Sequence, residues 1–88
     1  MIAAVILIEA EPARVAELAE QLVELEGVAE AYSVTGEYDL VAMVRVAEHD
    51  DLAGVVTHGI AKLPGITRTH TLVAFRAYRD ADYDWEVS

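Results

Sequence analysis

The sequence predicts an α+β domain of the ferredoxin-like βαββαβ class: a four-stranded antiparallel sheet with two helices on one face, dimerising through the sheet. Three observations predict it. The chain repeats itself at an offset of 38 positions, so that Val15 falls on Ala53, Leu18 on Val56, Leu22 on Ile60, Gly27 on Gly65 and Val28 on Ile66. Each half reads strand, helix, strand by hydrophobic period. And 55% of only 88 residues are hydrophobic, more apolar material than one small domain readily hides.

The first strand, Ala3 to Ile8, has no polar side chain. Pro12 suits the first turn of a helix, where its missing N–H is not needed. Val15, Leu18, Ala19, Leu22 and Val23 keep the rhythm of one helical face, with Glu17, Glu20, Gln21 and Glu24 on the solvent side. Gly27 stands where a helix-ending C′ glycine belongs. Val28 to Val34 form a second strand, and the stretch SVTGEYDLVAMV (33–44) reads as strand, tight turn and strand. Ile2 to Ile8 map onto Leu40 to Val46 as the third strand. A second helix, about Asp50 to Leu63, gathers Leu52, Val55, Val56, Gly59, Ile60 and Leu63 on one face. The LEGVAEAYS of the first half is answered by LPGITRTHT in the second, which places a fourth strand there.

Right-handed crossovers restrict the topology. Strands one and three are expected in the centre and parallel to each other, with strands two and four at the edges. The face without helices is then apolar whichever way strand one is turned, since Ile2, Ala4, Ile6 and Ile8 point one way and Ala3, Val5 and Leu7 the other. Val41 and Met43 extend the second set. A second copy packed face to face covers such a surface.

Composition narrows the function classes. Sixteen acids against six bases give a formal net charge of −10, the wrong sign for a phosphate backbone or an anionic membrane. No apolar run approaches the roughly 20 residues of a spanning helix. MIAAVILI has no basic leader and reads as a strand rather than a signal peptide. The chain has no cysteine, which fits a cytoplasmic setting.

No catalytic residue, metal ligand or cofactor is expected. His49, His58 and His70 are dispersed and lack metal-ligand spacing. His49 sits beside Asp50 and Asp51 at a helix start, where capping and solvation account for it. Ser33 and Ser88 lack a nucleophile elbow, and no phosphate-binding glycine loop occurs.

The turn Thr35-Gly36-Glu37-Tyr38-Asp39 admits two readings. Gly36 permits positive φ and Asp39 bonds local amides, which is ordinary hairpin chemistry. Alternatively its amides and carboxylate receive a ligand. Thr67, Thr69 and Thr71 alternate to one face of the last strand, either as β-formers or as hydroxyls lining a small polar pocket.

GEYDL opening the third strand, with LPGITRTHTL opening the fourth, resembles the effector-binding domain of the Lrp/AsnC family of feast/famine regulators, the RAM domain. The resemblance covers Ile2 to about Tyr78. It implies a βαββαβ domain that dimerises through its sheet, assembles into octamers or similar rings, and binds amino-acid-like small molecules at contacts between dimers. Carried over by motif, the site comprises Thr35, Gly36, Glu37, Tyr38 and Asp39, with Thr69 and Thr71 on the last strand. Family members carry an N-terminal helix-turn-helix domain, whereas this chain begins directly at strand one, so the expectation is a stand-alone effector domain. Its partners would be its own copies and full-length Lrp/AsnC relatives, with no direct nucleic acid and no membrane.

Residues 1–78 are expected to form the domain and 79–88 an acidic, aromatic tail in which Trp85 docks on a neighbouring subunit. The expected function is an amino-acid-binding, oligomerising module related to transcription regulation. A small dimeric enzyme of monooxygenase or isomerase type, or a ligand-free scaffold, are the other readings. The enzyme reading requires a His or Arg inside a pocket between sheet and helices, and the helix-facing positions are instead Ala, Val, Ile and Leu.

Overall fold

The structure, a computed structural model, describes residues 1–78. Strand β1 (Ile2–Ala10) buries every second side chain, Ala4, Ile6, Ile8 and Ala10, and leaves Ala3, Val5 and Leu7 half-buried. That alternation is the period-2 geometry of a strand whose two faces differ in cover. A short 3-10 turn (Pro12–Arg14) starts on its proline and leads into α1 (Val15–Glu24). Leu18 and Leu22 of α1 are fully buried, and Val15 and Ala19 pack against the core. Val23, expected on the same face, is 50% exposed. At 3.6 residues per turn it lies about 140° round the helix from Leu18, past the edge of the buried stripe.

Gly27 falls one place later than expected. The helix ends at Glu24 with an extended cap at Leu25, and Gly27 follows two residues after that cap at φ +97. Its counterpart in the repeat, Gly65, sits at φ +101. A Cβ on Gly27 would stand 2.8 Å from Val55 Cγ2, so the position needs glycine for space as well as for φ.

Strands β2 (Val28–Ser33) and β3 (Leu40–Val46) form the predicted hairpin. The second helix departs from a regular one. It is α-helical over α2 (His49–Gly54), widens to a π turn over Val55–Gly59, and tightens to a 3-10 turn over Ile60–Lys62. Leu52 and Ile60 are buried, and Val55, Val56 and Leu63 pack beside them. The Asp51 carboxylate accepts the Glu48 N–H at 3.2 Å, so capping falls to Glu48 and Asp51 rather than to His49. Strand β4 (Ile66–Val73) completes the sheet.

The strand order is β2-β3-β1-β4, and every neighbouring pair is antiparallel. The expected parallel run of the two central strands is therefore wrong. The β2–β3 hairpin reverses the chain, so β3 returns antiparallel beside β1 while each crossover links strands that are not neighbours. Val5 pairs with Met43, its own mate in the 38-residue repeat. The two halves are thus related by a local two-fold axis between these residues.

All buried residues among those described are apolar. Each of the large fully buried side chains, including Ile6, Ile8, Leu40 and Ile60, contributes roughly 1.5–3 kcal/mol. The opposite face carries rows set by the strand pairing: Tyr32, Val41, Leu7 and His70, then Glu30, Met43, Val5 and Leu72. Val41 and Met43 stand on the face of Val5 and Leu7, as expected. Arg45 beside Ala3 marks one end. At the other, Glu9 and Arg68 approach to 3.6 Å. Tyr32 and Leu72 are each 47% exposed. The result is a greasy centre with a charged border.

Candidate functional site

The turn between β2 and β3 is tied down through one residue. The Asp39 N–H donates to the Ile8 carbonyl at 2.9 Å, and the Asp39 carbonyl accepts the Val34 N–H at 3.0 Å. Its Oδ2 accepts the Ala10 N–H at 2.8 Å. The third bond explains why an aspartate opens β3: β1 runs past the end of the hairpin, and the carboxylate satisfies a backbone donor that β3 no longer reaches. Asp39 therefore does bond an amide, but one from another strand rather than a local one.

Between these anchors Thr35, Gly36 and Glu37 are exposed, while Tyr38 and Asp39 are half-buried. Gly36 sits at φ +117 with open space around it. The arrangement is a bare backbone bend held at a fixed place on the rim of the sheet. Exposed turn amides of this kind suit a carboxylate, and the free lone pairs of Asp39 suit an ammonium group.

Thr69 and Thr71 pair with Ile8 and Ile6 and so face the helix side, half-buried on the edge strand. Thr67 does not join them. A register shift between Glu9 and Ala10 makes it the extra residue of a β-bulge, and its hydroxyl donates to the Glu9 carbonyl at 3.1 Å. Arg68 and His70 lie on the open face, as alternation requires. The turn and Thr69 lie at the same end of the sheet, but β1 separates β3 from β4. Two strand spacings, about 10 Å, lie between them. The turn and the two threonines are thus separate patches on the described surface.

On the open face the Tyr32 hydroxyl donates to Glu30 Oε2 at 2.8 Å. The hydrogen bond to Glu30 and the charge of that carboxylate raise the phenol above its ordinary pKa, with a smaller opposing pull from Arg45. His49, His58 and His70 are not fully buried, and none has a hydrogen-bond partner among the described side chains that would poise it for proton transfer. Among the described residues no group of three or more His, Asp or Glu is placed to hold a metal ion, and no helix is long and apolar enough to cross a membrane. The expected tail contact through Trp85 lies outside the described residues.

A feature that hydropathy did not reveal is an open cleft of about 640 Å³ at the far end of the sheet. It lies between the end of α1, the end of β3 and the π turn. Its only signal in the sequence is the glycine content of those segments.

A family model described as the Lrp/AsnC ligand binding domain matches residues 3–83. TTHA0845 from Thermus thermophilus has a solved structure that is 54% identical, covers 91% of this chain and 100% of its own, and superposes with a TM-score of 0.86. The HTH-type transcriptional regulator FL11 of Pyrococcus abyssi is 32% identical over 88% of this chain and 50% of its own length. The present chain thus spans about half the length of such curated relatives. Transcriptional regulator NMB0573 from Neisseria meningitidis, solved as a complex with L-Met, shares the fold at 15% identity and a TM-score of 0.79, over 90% of this chain and 53% of its own.

Proposed function

The chain belongs to the Lrp/AsnC ligand binding domain family, and from that premise we propose an effector-binding, self-assembling module whose ligand is an amino-acid-like small molecule held at the Thr35–Asp39 turn. The observation that carries this reading is the way Asp39 pins the turn to Ile8 and Ala10 while Thr35, Gly36 and Glu37 stay bare. A pre-positioned bend spends little ordering entropy on binding. Amides around Gly36 receive the α-carboxylate, Asp39 meets the α-ammonium, and Tyr38 forms an apolar wall.

The second wall comes from assembly. Two copies pair through the open faces centred on Val5, Leu7, Val41 and Met43, and dimers meet at their rims in an octamer or similar ring. Thr69 and Thr71 of a neighbouring copy then approach the turn that their own chain keeps two strands away. With a net charge of −10, the module influences transcription by joining full-length relatives rather than by gripping phosphate. The domain ends at residue 78, and the setting is cytoplasmic.

Thermal shift against the twenty amino acids tests this. A ligand at 100 times its Kd adds about 2.7 kcal/mol, an increase in Tm on the order of 10 °C for a domain of this size. Asp39→Asn removes the charge but keeps an oxygen for the Ala10 N–H, so it should lose the response and keep the fold. A silent screen with the oligomer intact would favour the ligand-free scaffold instead.

A further inference from the structure

The cleft at the far end of the sheet, about 640 Å³, falls in the size range of small-molecule sites. It lies beyond the end of β3, a full strand length of roughly 20 Å from the Thr35–Asp39 turn. Apolar residues from three separate elements wall it: Leu25 after α1, Val46 at the end of β3 with Ala47 next to it, and Val55 on the π turn. Three acidic residues, Glu26, Asp50 and Asp51, line it against two basic ones, Arg45 and His58. By strand alternation the Arg45 side chain turns to the open face, where its charge acts on Tyr32. Asp51 is already engaged with the Glu48 N–H, which leaves Glu26 and Asp50 to meet a ligand.

Glycine chemistry sharpens the point. Gly27 and Gly59 are explained by packing, since a Cβ would stand 2.8 Å from Val55 Cγ2 at the first and 3.3 Å from Leu25 Cδ1 at the second. Gly54 has no such reason. Its backbone is helical at φ −62 and ψ −46, and a Cβ there would meet nothing within 4 Å. A helical glycine without positive φ or crowding is a net cost to the fold. What it preserves is the opening of the cleft, directly before the π turn, a distortion frequent at functional sites.

We propose that this cleft is a second binding site, distinct from the Thr35–Asp39 turn, for a small primary amine with a branched apolar body and no carboxylate. The apolar walls take the body, and Glu26 and Asp50 take the ammonium group. A free amino acid is disfavoured because its carboxylate would lie among three acidic residues, with His58 and the outward-turned Arg45 alone to offset them. The site requires no second copy and no occupied turn.

The test uses the full chain, backbone-amide NMR and three probes of one shape: isoamylamine, isovalerate and isoamyl alcohol. At about 10 mM, the range in which such small ligands bind, the amine should shift the amides of residues 25–27, 46–47 and 54–59. It should bind about three- to fivefold more tightly than the alcohol, the scale of one solvent-screened charge contact, and isovalerate more weakly than either. Glu26→Gln and Asp50→Asn together should bring the amine down to the alcohol. Gly54→Phe and Ala47→Phe, which add bulk from two walls, should weaken both ligands with the circular dichroism spectrum unchanged. Equal binding of amine and carboxylate, shifts confined to residues 35–39, or undiminished binding by both phenylalanine variants would each overturn the proposal. Shifts at residues 35–39 with amino acids test the turn separately, so either site can fail alone.

Discussion

Replacing Asp39 by alanine removes the acceptor for the Ala10 N–H, a 2.8 Å bond between segments 29 residues apart. Ala10 is 7% exposed, so water reaches the abandoned donor poorly. Leaving a buried donor unpaired costs about 1–3 kcal/mol, and a bond to an ionised acceptor lies in the upper part of that range. Asp39 itself is half-buried, which places the expected loss at about 2 kcal/mol. With a urea slope of about 1 kcal/mol/M for so small a chain, the unfolding midpoint should fall by roughly 2 M. Asp39→Asn keeps an amide oxygen in place and should lose less than half as much. Both are measured by circular dichroism in urea at one fixed protein concentration, because association adds to apparent stability. An alanine variant within about 0.5 kcal/mol of the parent, the scatter of ordinary surface changes, would refute the reasoning. In that case the bond contributes nothing to holding the turn. The consequence for ligand studies is practical: loss of binding in Asp39→Ala mixes two effects, whereas Asp39→Asn separates them.

Met43→Lys places a charge in the middle of the open face, and it should split the assembly while the far-UV spectrum stays folded; unchanged sedimentation would mean that this face is not the contact. Gly27→Ala should cost about 2–4 kcal/mol from its left-handed φ and the Val55 clash, while Gly54→Ala should gain about 0.5–1 kcal/mol; thermal melts that rank the two alike would contradict the packing described for both. Tyr32 should ionise above its ordinary pKa in an ultraviolet titration, and Glu30→Gln should lower that step. Because the fold raises this pKa, the linked stabilisation is fully present below the ordinary phenol value of 10.0 and is lost as pH climbs through the folded value. An identical titration in both proteins would mean that the Tyr32–Glu30 bond does not form in solution.

Local sequence was enough to read the order of the elements and most of the faces they present. Strict alternation in β1, the helical stripe of Leu18 and Leu22, and a repeat whose two glycines both adopt left-handed φ are set by neighbours within a few residues. The apolar open face followed from the same alternation, and the GEYDL and LPGITRTHTL segments carried the family resemblance. Whatever depends on partners distant in sequence emerged with the folded chain. The sheet alone shows that the central strands are antiparallel, that Asp39 serves the Ala10 N–H, and that a bulge opposite Glu9 takes Thr67 out of line with Thr69 and Thr71. The folded chain also makes the π turn and the cleft beside it, where Leu25, Val46 and Val55 meet from three elements. Periodicity reports which way a side chain points. It says nothing of which distant backbone waits there, because that pairing is chosen by the packing of the whole chain at once.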